Sequence, residues 1–307
     1  MKIKVEDIGT KKLTPIGYLE IEDYNIVQHP NGKIFIQYLY KDLIKKLCSD
    51  MHENVKNNYD NVILATGGEG SGKSSFMYQL LSHYKPDWND AEDIPQSYTY
   101  NMDLLRERFA RGDCGNGMFW MDETTQIASN RDWQSEDNKD FVSVLETFRS
   151  KKFLFGGCAP KIERVDIYLR DFRMRYRAHC QPVTFENSGL CQRGIFELFK
   201  RDDITGNMRH IGYGRYDPIP EEADNIYQPL KEACQDRLRQ KIATRNEGKG
   251  GKYKQMWEEE RKKQNTIMLK LHDLQALPDS QLMDLFGYTN RGTYQNVLSR
   301  TRKQESD

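Results

Sequence analysis

Eight consecutive residues combine glycines with a lysine and a hydroxyl in the spacing of a phosphate-binding loop. They fit the pattern G-x-x-x-x-G-K-[ST] and precede Ser75: Gly67, Gly68, Glu69, Gly70, Ser71, Gly72, Lys73 and Ser74. Glycines let backbone N–H groups curl around phosphate oxygens where a Cβ would clash. The lysine adds positive charge, and the Ser74 hydroxyl can bind Mg²⁺. Because a strand pattern precedes the motif and a helical pattern follows it, a chance glycine turn is a poor alternative.

A second set of chemically capable residues follows a short apolar run. Residues 118–121 read Met-Phe-Trp-Met, which predicts a buried strand, and Asp122 and Glu123 come directly after it. Such a strand, lying beside the strand before the glycine motif, would place Asp122 where it can hold Mg²⁺, and Glu123 where it can deprotonate an attacking water. The alternative role for Glu123 is to stabilise a helix N-terminus. The acidic pair, together with the lack of an Asn-Lys-x-Asp guanine motif, predicts ATP rather than GTP.

The two motifs resemble those of P-loop ATPases of the additional-strand, catalytic-glutamate division, which includes RecA, FtsK–HerA and AAA+ proteins. Within that division, the chain resembles the Zot-like and FtsK–HerA-type ATPases of phages, archaeal viruses and plasmids. The residues that carry this second resemblance are Ser129-Asn130-Arg131-Asp132, Asn138-Lys139, Arg149, Pro160 and Arg170-Asp171-x-Arg173. The resemblance spans roughly residues 60–180 and implies a ring-forming ATPase that acts on DNA, often in genome packaging or export.

Three arginines are candidates for a role that this resemblance implies. Ring ATPases insert an arginine of one subunit into the neighbour's site, where it neutralises transition-state charge. Arg149, Arg170 and Arg173 flank the predicted strand 153–157 and the helix after it. The alternative is a surface arginine paired with Asp166 or Asp171.

The C-terminal segment carries a different signal. Asp279 can cap a helix that ends near Phe286, Gly287 can turn the chain, and Thr289 can cap a second helix over residues 290–302. This pattern predicts a helix-turn-helix whose second helix exposes residues able to contact DNA phosphates and bases. Those residues are Asn290, Arg291, Thr293, Gln295, Asn296 and Arg300. A helical hairpin used for oligomer contacts is the alternative.

Alternating strand and helix patterns predict the scaffold that must position these residues. The fold class is α/β: a P-loop ATPase core with a mainly parallel sheet and helices on both faces. Residues 1–58 are predicted to form a hairpin (24–37) and a helix (39–55), and residues 59–217 the core. Its predicted elements include a strand at 97–100, a helix at 162–172 and an edge hairpin at 194–213. Residues 218–251 then form a charged helix and a Gly-rich linker, and residues 252–307 the helical tail.

Composition and charge exclude several classes of protein. The 307 residues are 37% hydrophobic, with 13 Phe, 17 Tyr and 4 Trp, which is too much core material for a disordered chain. No run approaches the ~18 apolar residues of a membrane span, and the N-terminus lacks a signal-peptide pattern. Six scattered cysteines without a Cys-x-x-Cys pair indicate reduced thiols. Residues 1–230 carry 30 basic and 35 acidic side chains, whereas residues 231–307 carry 16 and 11.

Together these observations predict an ATPase (ATP and Mg²⁺ as ligands) that handles DNA and assembles as a homo-oligomeric ring. The resemblance implies the ring and adds a capsid or portal as a possible partner. The lack of a membrane span and of a signal peptide, with the reduced thiols, predicts no membrane partner and a location in the cytoplasm, that of the host if the chain is viral. The competing hypothesis is an ATP-dependent DNA-binding regulator or assembly switch that does not translocate. A small-molecule kinase would need a substrate lid, and the sequence offers no clear one.

Overall fold

The computed structural model describes residues 10–28, 32–99, 102–110, 117–126, 128, 136–183, 194–246, 253–274 and 277–306. The chain divides into two compact units, residues 1–88 with 101–219 and residues 89–100 with 220–307. The predicted N-terminal segment and most of the predicted core therefore lie in one unit. Within the described ranges, no helix has both the length and the apolar character needed to cross a bilayer.

One sheet forms the centre of the first unit. Its strands are β1 (Lys11–Thr14), β2 (Gly17–Gln28), β3 (Ile34–Tyr40), β4 (Asn61–Thr66), β5 (Met118–Met121), β6 (Leu154–Ala159), β7 (Tyr176–Cys180), β8 (Ile195–Arg201) and β9 (Met208–Arg215). Their order across the sheet is β1-β2-β3-β9-β8-β7-β4-β6-β5. Strand β6 thus separates β4, which leads into the glycine loop, from β5, which leads into the two carboxylates. The prediction that β5 lies beside β4 is therefore wrong.

The sheet is mixed, which corrects the prediction of a mainly parallel one. The β4–β6, β4–β7 and β5–β6 pairs are parallel, as strand–helix alternation requires. The β1–β2, β2–β3, β7–β8 and β8–β9 pairs are antiparallel. The N-terminal hairpin joins this sheet where Leu39 of β3 pairs with Tyr213 of β9. The β8–β9 hairpin therefore lies inside the sheet, not at its edge.

Helices cover both faces of the parallel strands. Successive residues of β6 point to opposite faces of the sheet, so neighbouring residues of this strand contact different helices. The ring of Phe155 meets Phe141 of α5 (Glu136–Lys151), with 5.5 Å between ring centroids. On the other face, a Cβ on Gly156 would lie 2.4 Å from Met77 Sδ of α2 (Lys73–Tyr84), so the helix approaches the strand closely. Helix α1 (Leu43–Lys56) packs on α2, and α4 (Met102–Ala110) packs on α5.

Three predicted elements differ in the structure. Leu39 belongs to β3, so the first helix starts only at Leu43. Ser97 ends helix α3 (Asp90–Ser97) rather than starting a strand; Asn89 Oδ1 accepts from the Ala91 N–H at 3.2 Å and so starts that helix.

The predicted helix 162–172 is instead two shorter turns. A 3₁₀ turn spans Ile162–Arg164, and a π-helix spans Tyr168–Arg173. Asp166 Oδ1 accepts from the Tyr168 N–H at 2.8 Å, so the Asp166 side chain stabilises the start of the π-helix after the 3₁₀ turn.

The second unit is helical. Its helices are α3, α6 (Glu221–Asn246), α7 (Tyr253–Asp273), α8 (Asp279–Leu285) and α9 (Arg291–Ser306). Helix α3 packs on α6, α6 on α7, and α7 on both α8 and α9. The short α8 and the longer α9 match the predicted pair of tail helices, and Gly287 turns the chain between them with φ of 73°. The predicted Gly-rich linker, residues 248–251, lies outside the described residues.

Candidate functional site

The glycine loop lies between the carboxyl end of β4 and the start of α2, as the motif predicts. Gly67, Gly70 and Gly72 have φ of 146°, 69° and 89°, a region that other residues rarely adopt. A Cβ on Gly67 would lie 2.1 Å from the carbonyl oxygen of Cys180 on β7. The first glycine is therefore required both by its backbone conformation and by the close approach of a neighbouring strand.

Lys73 lies across this loop. Its Nζ donates to the carbonyl oxygens of Gly67 at 2.9 Å and Gly68 at 2.7 Å. A second contact also stabilises the loop: the buried hydroxyl of Tyr216 donates to the Ser71 carbonyl oxygen at 3.0 Å. A Cβ on Gly72 would lie 2.4 Å from that hydroxyl, so the tyrosine packs directly against the loop.

Ser74 and Asp122 are brought together by the sheet. Ser74 Oγ donates to Asp122 Oδ1 at 2.8 Å, and Asp122 is buried. The contact joins the first turn of α2 to the end of β5, two strands away from β4. A serine hydroxyl and a carboxylate are hard oxygen donors, which suits Mg²⁺.

Glu123 follows Asp122 at the same edge of the sheet. Its side chain is exposed, whereas its neighbour is buried. The carboxyl ends of parallel β4, β6 and β5 meet at this edge, so Glu123 lies on the side of the sheet that also carries the glycine loop. The role of Glu123 as a base that faces the phosphates stays a prediction.

The sequence analysis missed a row of hydrogen-bonded side chains on β4 and the neighbouring strand β7. His179 of β7 pairs with Thr66, the residue before Gly67; Nδ1 lies 3.0 Å from Thr66 Oγ1, and Nε2 lies 3.1 Å from Gln181 Oε1. The sequence did contain a signal for His179, because this residue lies near the end of a predicted strand and the carboxyl ends of parallel strands often carry ligand sites.

Two buried thiols complete the surroundings of the loop. Burial raises the pKa of Cys180 to about 12. Burial also raises the pKa of Cys158, and the nearby Asp122 carboxylate raises it further. Both thiols are therefore neutral at physiological pH and act as small packing groups, not as nucleophiles.

Two of the three predicted arginines, Arg170 and Arg173, lie away from this loop. Arg170 forms a two-pronged ion pair with Asp171, at 2.7 and 2.9 Å, which is the alternative that the sequence analysis left open. Arg173 pairs with Asp60, the residue before β4, so it lies at the opposite end of that strand from the loop. Arg149 lies in α5, and its side chain is outside the described part of the chain.

The predicted DNA-contacting residues lie at the start of α9 and along it. All six are exposed: Asn290, Arg291, Thr293, Gln295, Asn296 and Arg300. Asn290 rather than Thr289 caps the helix, because its Oδ1 accepts from the Gly292 N–H at 2.8 Å. Asp279 follows Pro278 at the start of α8 and accepts from the Tyr294 hydroxyl at 3.1 Å, which ties α8 to α9.

Comparison with known proteins finds similarity at the level of solved structures only. No family model and no curated protein matches the sequence. The N-terminal domain of zonular occludens toxin from Neisseria meningitidis is 16% identical, with a TM-score of 0.35 over 54% of this chain and 98% of that one.

The genome packaging NTPase B204 from Sulfolobus turreted icosahedral virus 2 is also similar. In complex with ATP-gammaS it is 10% identical, with a TM-score of 0.33 over 52% of this chain and 98% of its own. In complex with AMPPCP it is 12% identical, with a TM-score of 0.32 over 53% and 99%. The similarity thus covers about half of this chain at low identity.

Proposed function

We propose that the chain is an ATPase that works as a nucleic-acid motor, or handles DNA in another ATP-driven way, in a virus or mobile element. The observation that carries the proposal is the 2.8 Å hydrogen bond from Ser74 Oγ to Asp122 Oδ1, made behind a glycine loop that begins at the end of β4. The parallel pairings of β6 with β4 and with β5 support it, because the carboxyl ends of parallel strands lie at the same end of the sheet.

Each residue then has a defined role. Residues 67–75 would bind the phosphates of ATP through backbone N–H groups at the start of α2. Lys73 would exchange the Gly67 and Gly68 carbonyls for phosphate oxygens. Ser74 and Asp122 would hold Mg²⁺, which neutralises phosphate charge when bound. Glu123 would take the proton of the attacking water.

The experiment that tests this assignment compares Glu123→Gln with Lys73→Ala. Loss of a general base typically costs 10²-fold or more in rate, so Glu123→Gln should bind ATP almost normally and hydrolyse it at least ~10²-fold more slowly. Lys73→Ala should instead weaken nucleotide binding. Glu163→Gln, which changes an exposed carboxylate of the 3₁₀ turn, is the control. Wild-type hydrolysis by Glu123→Gln would show that another group is the base.

The wider biological role remains part of the proposal. The resemblance of the sequence motifs supports a homo-oligomeric ring, an arginine acting in trans, and genome packaging with a capsid or portal partner. The proposed cytoplasmic location is supported by the composition of the sequence. Arg170 is the better candidate for action in trans, because the Arg173 side chain is 15% exposed and that of Arg170 is 26% exposed.

The exposed polar side chains of α9 favour a second candidate, a DNA-binding regulator that uses ATP as a switch. A motor should hydrolyse ATP continuously and faster with DNA present. A switch should hydrolyse slowly at a rate that DNA leaves unchanged. Measuring steady-state hydrolysis with and without duplex DNA separates the two.

A further inference from the structure

Two residues of one three-stranded meander contact the glycine loop. Strands β7, β8 and β9 are antiparallel neighbours in the sheet. His179, near the end of β7, contacts Thr66, and Tyr216, directly after β9, contacts Ser71. The two contacts therefore bracket the first half of the glycine loop, residues 67–70.

The contact of His179 lies where the loop begins. Thr66 pairs with His179 at the end of the β4–β7 ladder, and Gly67 is the next residue. Thr66 is only 2% exposed, so its hydroxyl is shielded from water. A buried hydroxyl needs a hydrogen-bond partner, and Nδ1 of His179 lies 3.0 Å from Thr66 Oγ1. The imidazole thus holds the last residue of β4 at the entrance of the loop.

The imidazole is itself held in place. Its second nitrogen, Nε2, lies 3.1 Å from Gln181 Oε1, so both ring nitrogens have hydrogen-bond partners. On the other side of β7, His179 pairs in register with Glu197 of β8. Glu197 accepts from the Tyr213 hydroxyl at 3.3 Å, so this neighbour is fixed as well. A ring with fixed surroundings can fix the position of Thr66 in turn.

The contact of Tyr216 belongs to the same corner of the sheet. The Tyr216 N–H donates to the Gly194 carbonyl at 2.7 Å, next to the start of β8, and the Tyr216 ring lies 6.1 Å from the ring of Phe196. Phe196 pairs with Cys180, the residue whose carbonyl oxygen approaches Gly67. The ends of β7 and β9 are therefore joined through the start of β8, and they contact the loop as one unit.

The bracketed residues are those that the proposed nucleotide must meet. The carbonyl oxygens of Gly67 and Gly68 accept from Lys73 Nζ, and the backbone N–H groups of a phosphate loop surround the phosphates. If this segment were mobile, ATP would have to order it on binding, and part of the binding free energy would be lost. Contacts that fix the segment beforehand therefore raise the affinity for ATP.

We infer that His179 is a positioning residue of the ATP site, which fixes the start of the glycine loop through Thr66. The inference rests on the proposed function and adds to the site a residue outside the glycine motif. His179 acts on the nucleotide through Thr66 and not by contact. Its role is to lower the dissociation constant for ATP, in the same sense as the contact of Tyr216 with Ser71.

Two substitutions of His179 in the full chain separate a hydrogen-bonding role from a packing role. His179→Phe keeps an aromatic ring and removes both hydrogen bonds, whereas His179→Asn loses volume but keeps a polar atom near the place of Nδ1. One buried hydrogen bond is worth a factor of about 2–12 in an equilibrium constant. The dissociation constant of a non-hydrolysable ATP analogue should therefore rise about fivefold in His179→Phe and at most about twofold in His179→Asn. In steady-state hydrolysis the loss should appear in KM rather than in kcat.

The opposite order of affinities would overturn the inference. A packing role predicts that His179→Phe binds like the wild type and that His179→Asn binds more weakly. Melting temperatures show which variants fold, and His179→Leu, which also lacks a hydrogen-bonding group, replaces His179→Phe if that variant does not. The matched control is His83→Phe, at an exposed histidine in the last turn of α2, which should bind the analogue like the wild type. Equal weakening by His83→Phe would also overturn the inference.

The partner residue supplies an independent test. Thr66→Val removes the hydroxyl at nearly constant volume, so it should weaken analogue binding by about the same fivefold. Because Thr66→Val and His179→Phe break the same bond, the double variant should bind about as well as either single variant. Independent effects would instead multiply to about 25-fold, and that result would refute the assigned contact.

Lys73→Ala separates this inference from the proposed function. If Lys73→Ala loses nucleotide binding while His179→Phe and Thr66→Val bind like the wild type, the ATP site stands and the role of His179 is refuted. A wild type that binds no nucleotide would refute the proposed function itself. The result expected here is a strong loss of binding in Lys73→Ala and a loss of about fivefold in the other two variants.

Discussion

Tyr216→Phe is expected to weaken the glycine loop without disturbing the core around it. The hydroxyl donates to the Ser71 carbonyl at 3.0 Å, and the ring packs against Phe76 and Phe196, contacts that phenylalanine retains. Removing one partner of a buried hydrogen bond leaves the other unsatisfied, which costs about 1–3 kcal/mol. Burying a less polar ring recovers part of this, so we expect a net loss of about 1–2 kcal/mol.

The measurements are thermal unfolding and, in a separate experiment, ATP titration. In a unit of this size, 1 kcal/mol lowers the melting temperature by about 2–4 °C. If the loop is what loosens, the dissociation constant for ATP should also rise, by up to about tenfold for 1.4 kcal/mol. Tyr18→Phe is the matched control, because Tyr18 is 68% exposed. If Tyr216→Phe is as stable as Tyr18→Phe, the hydrogen bond to Ser71 does not stabilise the loop and the reasoning is refuted.

Three further perturbations probe other parts of the chain. Because burial raises the pKa of Cys180 from 9.0 to about 12, the neutral thiol stabilises the fold below pH 9, and this contribution is lost as pH rises towards 12. The unfolding free energy of Cys180→Ser should therefore fall less steeply over that range in urea titrations, and equal slopes would contradict the shift. Arg173→Ala should cost about 1–3 kcal/mol, because it removes an ion pair to Asp60, which is only 12% exposed. Arg170→Ala should cost ~1 kcal/mol or less, because Asp171 is exposed; equal melting temperatures would contradict this. Arg291→Ala combined with Arg300→Ala should weaken duplex DNA binding and reduce the log–log salt slope by about 1.8, at ~0.9 per phosphate contact. Lys41→Ala is the control for that pair, and an unchanged slope would remove these arginines from the DNA contact.

The geometry of the candidate site was predictable where it depends on residues close together in the sequence. The backbone conformation of the Gly67–Ser74 motif depends on its own residues, because the glycines lead directly into α2. The location of the two acids after residues 118–121 was predictable for the same reason. A short apolar run followed by carboxylates indicates a buried strand that ends at a polar surface. The hydrogen bond between Ser74 and Asp122 confirms that the two segments meet.

The sheet was less predictable because its pairings join distant segments. Nothing in residues 34–40 specifies β9 as a neighbour, because the parallel Leu39–Tyr213 pairing joins segments far apart in the sequence. The sheet is mixed because β7–β8 and β8–β9, which join it to the parallel strands, are antiparallel. His179 was missed for the same reason, because its partner Thr66 lies on another strand. The break between the 3₁₀ turn and the π-helix depends on the single Asp166 side chain, which a periodicity analysis does not weigh.

The positions of Arg170 and Arg173 restrict what either residue can do. The glycine loop follows Thr66 at the carboxyl end of β4, and Asp60, the partner of Arg173, precedes Asn61 at the amino end. Six residues of strand span about 20 Å, farther than an arginine side chain reaches. Arg201 donates to the Arg170 carbonyl at 2.7 Å. Because Arg201 ends β8, and that end of β8 pairs with the start of β7, Arg170 lies at the amino end of the parallel strands, as Asp60 does. Neither guanidinium can contact phosphates bound in its own loop. If either arginine acts on ATP, it must do so in the site of a neighbouring copy, and a variant that stays monomeric must lose that contribution.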